Sequence, residues 1–156
     1  MNRAIPFLAL ALIAVGVVGV VVVTVLAQPR FRSNGEQIYF TATSQRGTLI
    51  TADMGMGMMS SGMMTCANCH GPDGRGGRVQ MMMGSFVAPD IRYQTLTSET
   101  EHAEGEEHPP YTDETIKRAI TQGLDPAGKP LQWPMPRWRM TEADLDDVLA
   151  FLKSLP

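Results

Sequence analysis

The chain is poor in what usually stabilises a small domain. Of its 156 residues only two are cysteines, and both fall in the tetrapeptide Cys66-Ala67-Asn68-Cys69, which excludes a disulfide-stapled fold. Three histidines are too few for a multi-metal histidine cluster. The net charge of −3 shows no excess of positive charge and argues against nucleic acid as a partner. Residues 4–27 carry no charge, and 20 of these 24 are apolar. Outside that run 48 apolar residues remain, and 12 of them are methionine. So little Leu, Ile, Val and Phe cannot build a large core from side chains alone. Something else must supply apolar volume. No internal repeat is visible.

What is present begins with the uncharged run. At about 1.5 Å per residue it reaches some 30 Å or more, the thickness of a hydrocarbon core. Val25-Leu26-Ala27 offers small residues where a signal peptidase cuts, but secretory h-regions run about 7–15 residues. Length therefore favours a retained anchor, or uncleaved signal, over residues 1–28. Arg3 lies before the run and Arg30 and Arg32 after it, so charge alone does not orient it.

Downstream, residues 34–40 predict a helix capped by Ser33 or Asn34. Residues 41–53 alternate weakly and read as a loop or short hairpin. Residues 112–122 place Ile116, Ala119 and Ile120 on one face, with Gly123 as a stop. Residues 141–155 place Leu145, Val148, Leu149 and Leu152 at i, i+3, i+4, i+7. Thr141 and Asp144 there approximate a capping box.

Cys66-x-x-Cys69-His70 is the c-type haem attachment pattern. Two thiols on one helical turn can each add to a vinyl group of one porphyrin, and His70 then serves as proximal ligand. A thioredoxin-like redox pair would follow a strand in an α/β unit, and a zinc site would need further cysteines. Haem also answers the shortage of core. Buried apolar area is worth about 25 cal/mol per Å², and a porphyrin is a large apolar disc.

A thioether opposite imidazole raises the potential of an electron-transfer haem. Met135 lies in Trp133-Pro134-Met135-Pro136-Arg137-Trp138, where two prolines stiffen a strap around one sulfur. Met140 instead precedes the Thr141 cap, where it can staple onto Leu145. Met135 is the expected sixth ligand.

Gly35-x-x-Ile38-Tyr39-Phe40, Cys66-Ala67-Asn68-Cys69-His70-Gly71, Gly123-x-Asp125-Pro126-x-Gly128, Met135-Pro136-Arg137-Trp138 and Val148-Leu149-Ala150-Phe151-Leu152-Lys153 follow one another in an order that resembles a class I cytochrome c. More narrowly, the chain resembles membrane-anchored monohaem cytochromes c of bacterial respiratory or photosynthetic chains. The resemblance covers residues 33–156. It implies an all-α fold around one covalent haem c, preceded by a single transmembrane helix. It implies that Gly35 or a neighbour packs against the terminal helix near Phe151. It also implies that Pro89 offers a carbonyl to His70 Nδ1, and that Trp133 and Arg137 belong to the haem pocket. The haem domain would lie on the periplasmic side of the cytoplasmic membrane. Residues 41–65 depart from the pattern as an insertion between the first helix and the haem motif, and long insertions are often functional.

The expected function is single-electron transfer between redox protein partners with no substrate turnover, hence not an enzyme. A permanently bound subunit of a membrane oxidoreductase complex is the alternative. A third reading uses the methionines at 54–64 and 81–83 to bind copper, since thioethers favour Cu(I); flexible packing explains them as well. The acidic run 99–108, with His102 and His108, reads as an exposed loop. Arg75, Arg78, Arg137 and Arg139 flank the haem-binding segments, where they can bond propionates or steer an acidic partner.

Overall fold

A computed structural model describes residues 12–14, 16–20, 31–55, 59–60, 64–81, 84–98 and 108–156. It divides into residues 1–30 and 31–156. In the first unit residues 12–14 and 16–20 are helical. The transmembrane helix expected there is corrected: among the described residues no helix is long and apolar enough to cross a membrane. The rest of the run 4–27 lies outside the described residues. The single-pass periplasmic placement that rested on it is withdrawn with it.

The second unit opens with α1, Asn34–Thr41, where Ser33 Oγ accepts from the Glu36 amide at 3.1 Å. The helix stops at Ala42, which adopts a left-handed conformation with φ 53°. Two strands follow, β1 at Thr51–Asp53 and β2 at Met59–Ser60. Next come the short helix α2 at Cys66–His70, a hairpin of β3 (Gly77–Met81) and β4 (Gly84–Ala88), and α3 at Tyr93–Leu96. The chain ends with α4 (Asp113–Gln122), β5 (Arg137–Arg139) and α5 (Glu142–Ser154).

The all-α expectation is therefore also corrected. β1 is the middle strand of a three-stranded antiparallel sheet in the order β2-β1-β5, and β3 pairs with β4. Ala52 stands opposite Trp138 in the first sheet, and both are buried. Strands of two or three residues give too little alternation to be read from sequence. In the hairpin Met81 stands opposite Gly84; residues 82 and 83 of the methionine run lie outside the described residues.

The helices follow their local chemistry. Thr112 and Thr115 cap α4 reciprocally, and Gly123 ends it at φ 68°. Thr141 Oγ1 accepts from the Asp144 amide to start α5. Leu145, Val148, Leu149 and Leu152 then face inward, each worth about 1.5–3 kcal/mol when buried. They meet Ile38 and Tyr39 of α1 in one core with Ile50, Ala52, Ile116 and Trp138. Gly35 permits the close approach of α1 to α5: a Cβ there would lie 1.9 Å from the Asp147 carbonyl oxygen and 3.0 Å from Phe151 Cβ. The Tyr39 and Phe151 rings meet at 5.0 Å.

Candidate metal centre

Thr65 begins α2 by accepting from the Asn68 amide at 3.2 Å. One turn then carries Cys66, Cys69 and His70. Both thiols are free, and Cys66 packs against the core. Burial pushes the Cys66 thiol up to about 12, and burial raises Cys69 too. Both therefore stay protonated near neutral pH.

His70 is buried, and its Nδ1 lies 3.0 Å from the Pro89 carbonyl oxygen. A carbonyl can only accept, so Nδ1 carries the proton and Nε2 keeps its lone pair for a metal. Burial lowers the imidazole pKa, outweighing the hydrogen bond His70 donates to Pro89 and the charge of Asp90. The ring is thus neutral near pH 7.

Several contacts fix the Pro89 carbonyl. The Gly76 amide donates to the His70 carbonyl at 2.9 Å, and Ile91 donates to Gly74 at 2.8 Å. A Cβ on Gly76 would meet Ala88 O at 2.1 Å and Pro89 O at 2.5 Å. Arg92 binds both oxygens of Asp90 and donates to the Pro156 carbonyl at 2.9 Å. Behind the helix, the buried Tyr39 hydroxyl donates to Gly71 O at 2.6 Å; burial raises its pKa further and keeps it a donor.

The second half of the centre is the strap. Met135 packs against the core, Pro134 and Pro136 are buried, and Trp133 is 62% exposed. A cleft of about 430 Å³ lies between Pro134 of the strap and Asn68 and Cys69 of α2, and Met64, Val79, Gln80, Met81 and Phe86 complete its lining. Arg137 is exposed, and its Nε donates to Gln122 O at 2.9 Å, at the end of α4. Cys69 and Pro134 thus border one space, with His70 and Met135 adjoining them in sequence. Trp133 is exposed, and the Arg137 Nε is held at the end of α4.

Sequence reasoning missed Gly76, Tyr39 and the inner face of the hairpin. The Gly76-Gly77 pair was the available signal, since paired glycines often mark close backbone approach. Of the methionine runs, Met64 and Met81 line the cleft, while residues 56–58, 61–63 and 82–83 lie outside the described residues. So do residues 99–107 of the acidic run, including His102; His108 stacks edge-on against Tyr111 at 5.1 Å. Among the described residues no group of three or more His, Cys, Asp or Glu could hold a metal ion. Among the described residues the two thiols and His70 thus have no fourth ligand of the kind a zinc site requires.

The residues do fit a covalent haem. Two free thiols and an oriented neutral imidazole lie on one turn of α2, and Cys69 of that turn borders a largely apolar cleft that Met64 and Met81 also line. A protein-family model described as Cytochrome c matches residues 34–156. No curated protein and no solved structure matches the chain.

Proposed function

Because the chain belongs to the cytochrome c family, and so carries covalent haem c for electron transfer, we propose that it moves single electrons between redox proteins through a His70/Met135-ligated iron. In this reading Cys66 and Cys69 hold the porphyrin as thioethers. Bound haem c supplies a one-electron Fe(III)/Fe(II) couple.

The chain's own contribution is to hold the ligands still. The observation that carries the reading is the buried His70 ring, fixed by Pro89 at 3.0 Å with Nε2 free to face the iron. Met135 would offer the soft sulfur from the stiff strap, whose Pro134 borders the same cleft as Cys69. If His70 and Met135 both held the iron, oxygen or peroxide would have no ligand site to enter, which suits a carrier rather than an enzyme.

Substitution of the sulfur tests this. Met135→Ala should lower the reduction potential, because thioether ligation favours the ferrous state, and should let the ferrous protein bind carbon monoxide. The weak near-infrared band of sulfur–ferric iron ligation should vanish in that variant and persist in Met140→Ala and Met64→Ala. Persistence in Met135→Ala with loss in Met64→Ala would move the ligand to the cleft-lining methionine and overturn the assignment.

A further inference from the structure

The Met135 strap is held on both flanks, and one of the holds comes from the inserted segment. Upstream, the Leu131 amide donates to Gly123 O at 2.7 Å, and Leu124 bridges to Pro130. Downstream, β5 begins at Arg137, two residues after Met135, and pairs along its length with β1: Thr51 with Arg139, Ala52 with Trp138, Asp53 with Arg137. Residues 132–136 are left as the short span between these holds.

β1 is itself rooted. Earlier in the same segment Ser44 Oγ donates to Asp144 at 2.6 Å, and Arg46 and Thr48 also bond Asp144. Ile50 is buried in the core. The segment runs from the start of α5 to the strap, and so ties the strap to the most helical part of the domain. Arg137 adds a second tie. Its Nε bonds Gln122 O at 2.9 Å and lies against Gly123, where a Cβ would come within 3.2 Å of it.

We propose that strand β1 of the inserted segment, together with Arg137, is a brace that sets the position of the Met135 sulfur. Arg137 and Ala52 are positioning residues that act through the backbone of the strap. The inference rests on Met135 being the axial ligand. An insertion beside the cofactor thereby gains a role that packing alone does not give it: it governs how firmly the sulfur competes for the iron.

Carbon monoxide reports that competition in the ferrous holoprotein. Arg137→Ala removes one hydrogen bond from an exposed side chain, and Ala52→Gly loosens the central strand. Each should lower the carbon monoxide dissociation constant roughly two- to tenfold, the worth of one net hydrogen bond, and Arg137→Lys should restore part of the parent value by donating to the same carbonyl. Thr112→Ala, which removes the α4 cap far from the strap in sequence, should lower the melting temperature and leave carbon monoxide binding unchanged. An equal effect of Thr112→Ala would mean general loosening and overturn the brace. Parent-like binding in Arg137→Ala and Ala52→Gly, with Met135→Ala opened, would overturn the brace and leave the ligand reading intact. Survival of the sulfur–iron band in Met135→Ala would overturn both.

Discussion

Gly76 lies against Pro89 so closely that a Cβ on the glycine would sit 2.5 Å from the Pro89 carbonyl oxygen, the oxygen that accepts from His70. Gly76 also has φ +70°, where an L side chain costs about 1–2 kcal/mol before any clash. Gly76→Ala should therefore destabilise the domain by about 2 kcal/mol or more and displace the carbonyl that orients the imidazole. Denaturant unfolding of the holoprotein checks the first effect. A parent-like midpoint would show that the loop yields without cost.

Gly35 makes a different demand, since its φ is unexceptional and only space matters. The helix α5 backbone at Asp147 occupies the position a Cβ would need. Backbone cannot rotate aside as a side chain can, so α1 and α5 must separate. Gly35→Ala should cost about 3 kcal/mol or more, read as a large fall in melting temperature. Gly47→Ala is a useful contrast. Its surroundings are open, so only its φ of +71° should count.

Asp144 predicts the response to acid. Burial alone would raise its pKa, but hydrogen bonds involving Ser44, Thr141, Thr48 and Asn34 overcome that and hold it well below the ordinary carboxylate range. Arg46 adds its charge at 3.1 Å. The unfolded chain takes up a proton at this residue near pH 4, and the folded chain only at lower pH. Asp144 thus stabilises the fold fully above about pH 4, and this contribution fades as pH falls toward the folded value. Asp144→Asn should cost on the order of 2 kcal/mol at pH 7. It should also flatten the acid limb of the stability curve below pH 4. An unchanged acid limb would assign the sensitivity to other carboxylates.

How far the sequence could be read depends on how local each signal is. α4 and α5 are legible because caps, stops and the apolar stripe all lie within one helix. The Cys66-x-x-Cys69-His70 motif is legible for the same reason. Asp144 is only half legible. Its bond to the Thr141 cap follows from spacing, but its partners Asn34, Ser44 and Thr48 lie about a hundred residues away. β1 and β5 are three residues each, and neither has a pattern until the other is beside it. Arg137 was expected at the cofactor because basic side chains suit propionates; the fold adds a bond from its Nε to the end of α4 that no local pattern announces. The Pro89 contact came from a family likeness, because nothing near His70 in sequence marks a carbonyl nineteen residues on. The anchor is the plainest divergence: the run 4–27 is apolar in composition, yet among the described residues no helix is long and apolar enough to cross a membrane.

The two cysteines supply the remaining prediction, and the geometry separates them. Cys66 packs into the core, whereas Cys69 borders the cleft beside Met64 and Pro134. Either single substitution to alanine leaves one thiol on the same turn and should still retain haem through one thioether after denaturation. Cys66→Ala should cost more stability, because it also removes a sulfur that contacts the core. Cys66→Ala combined with Cys69→Ala leaves nothing to form a thioether, so haem should run free of the chain on a denaturing gel. The folded double variant should also melt at lower temperature, because covalent retention of the porphyrin ends and with it much of the apolar area it buries. Haem staining after denaturation reads attachment, and the melting curve reads the contribution to the core. Stain retained by the double variant would move attachment away from this motif. A colourless protein with the parent's melting temperature would show that the side-chain core, for all its scarcity of Leu and Val, stands without the cofactor.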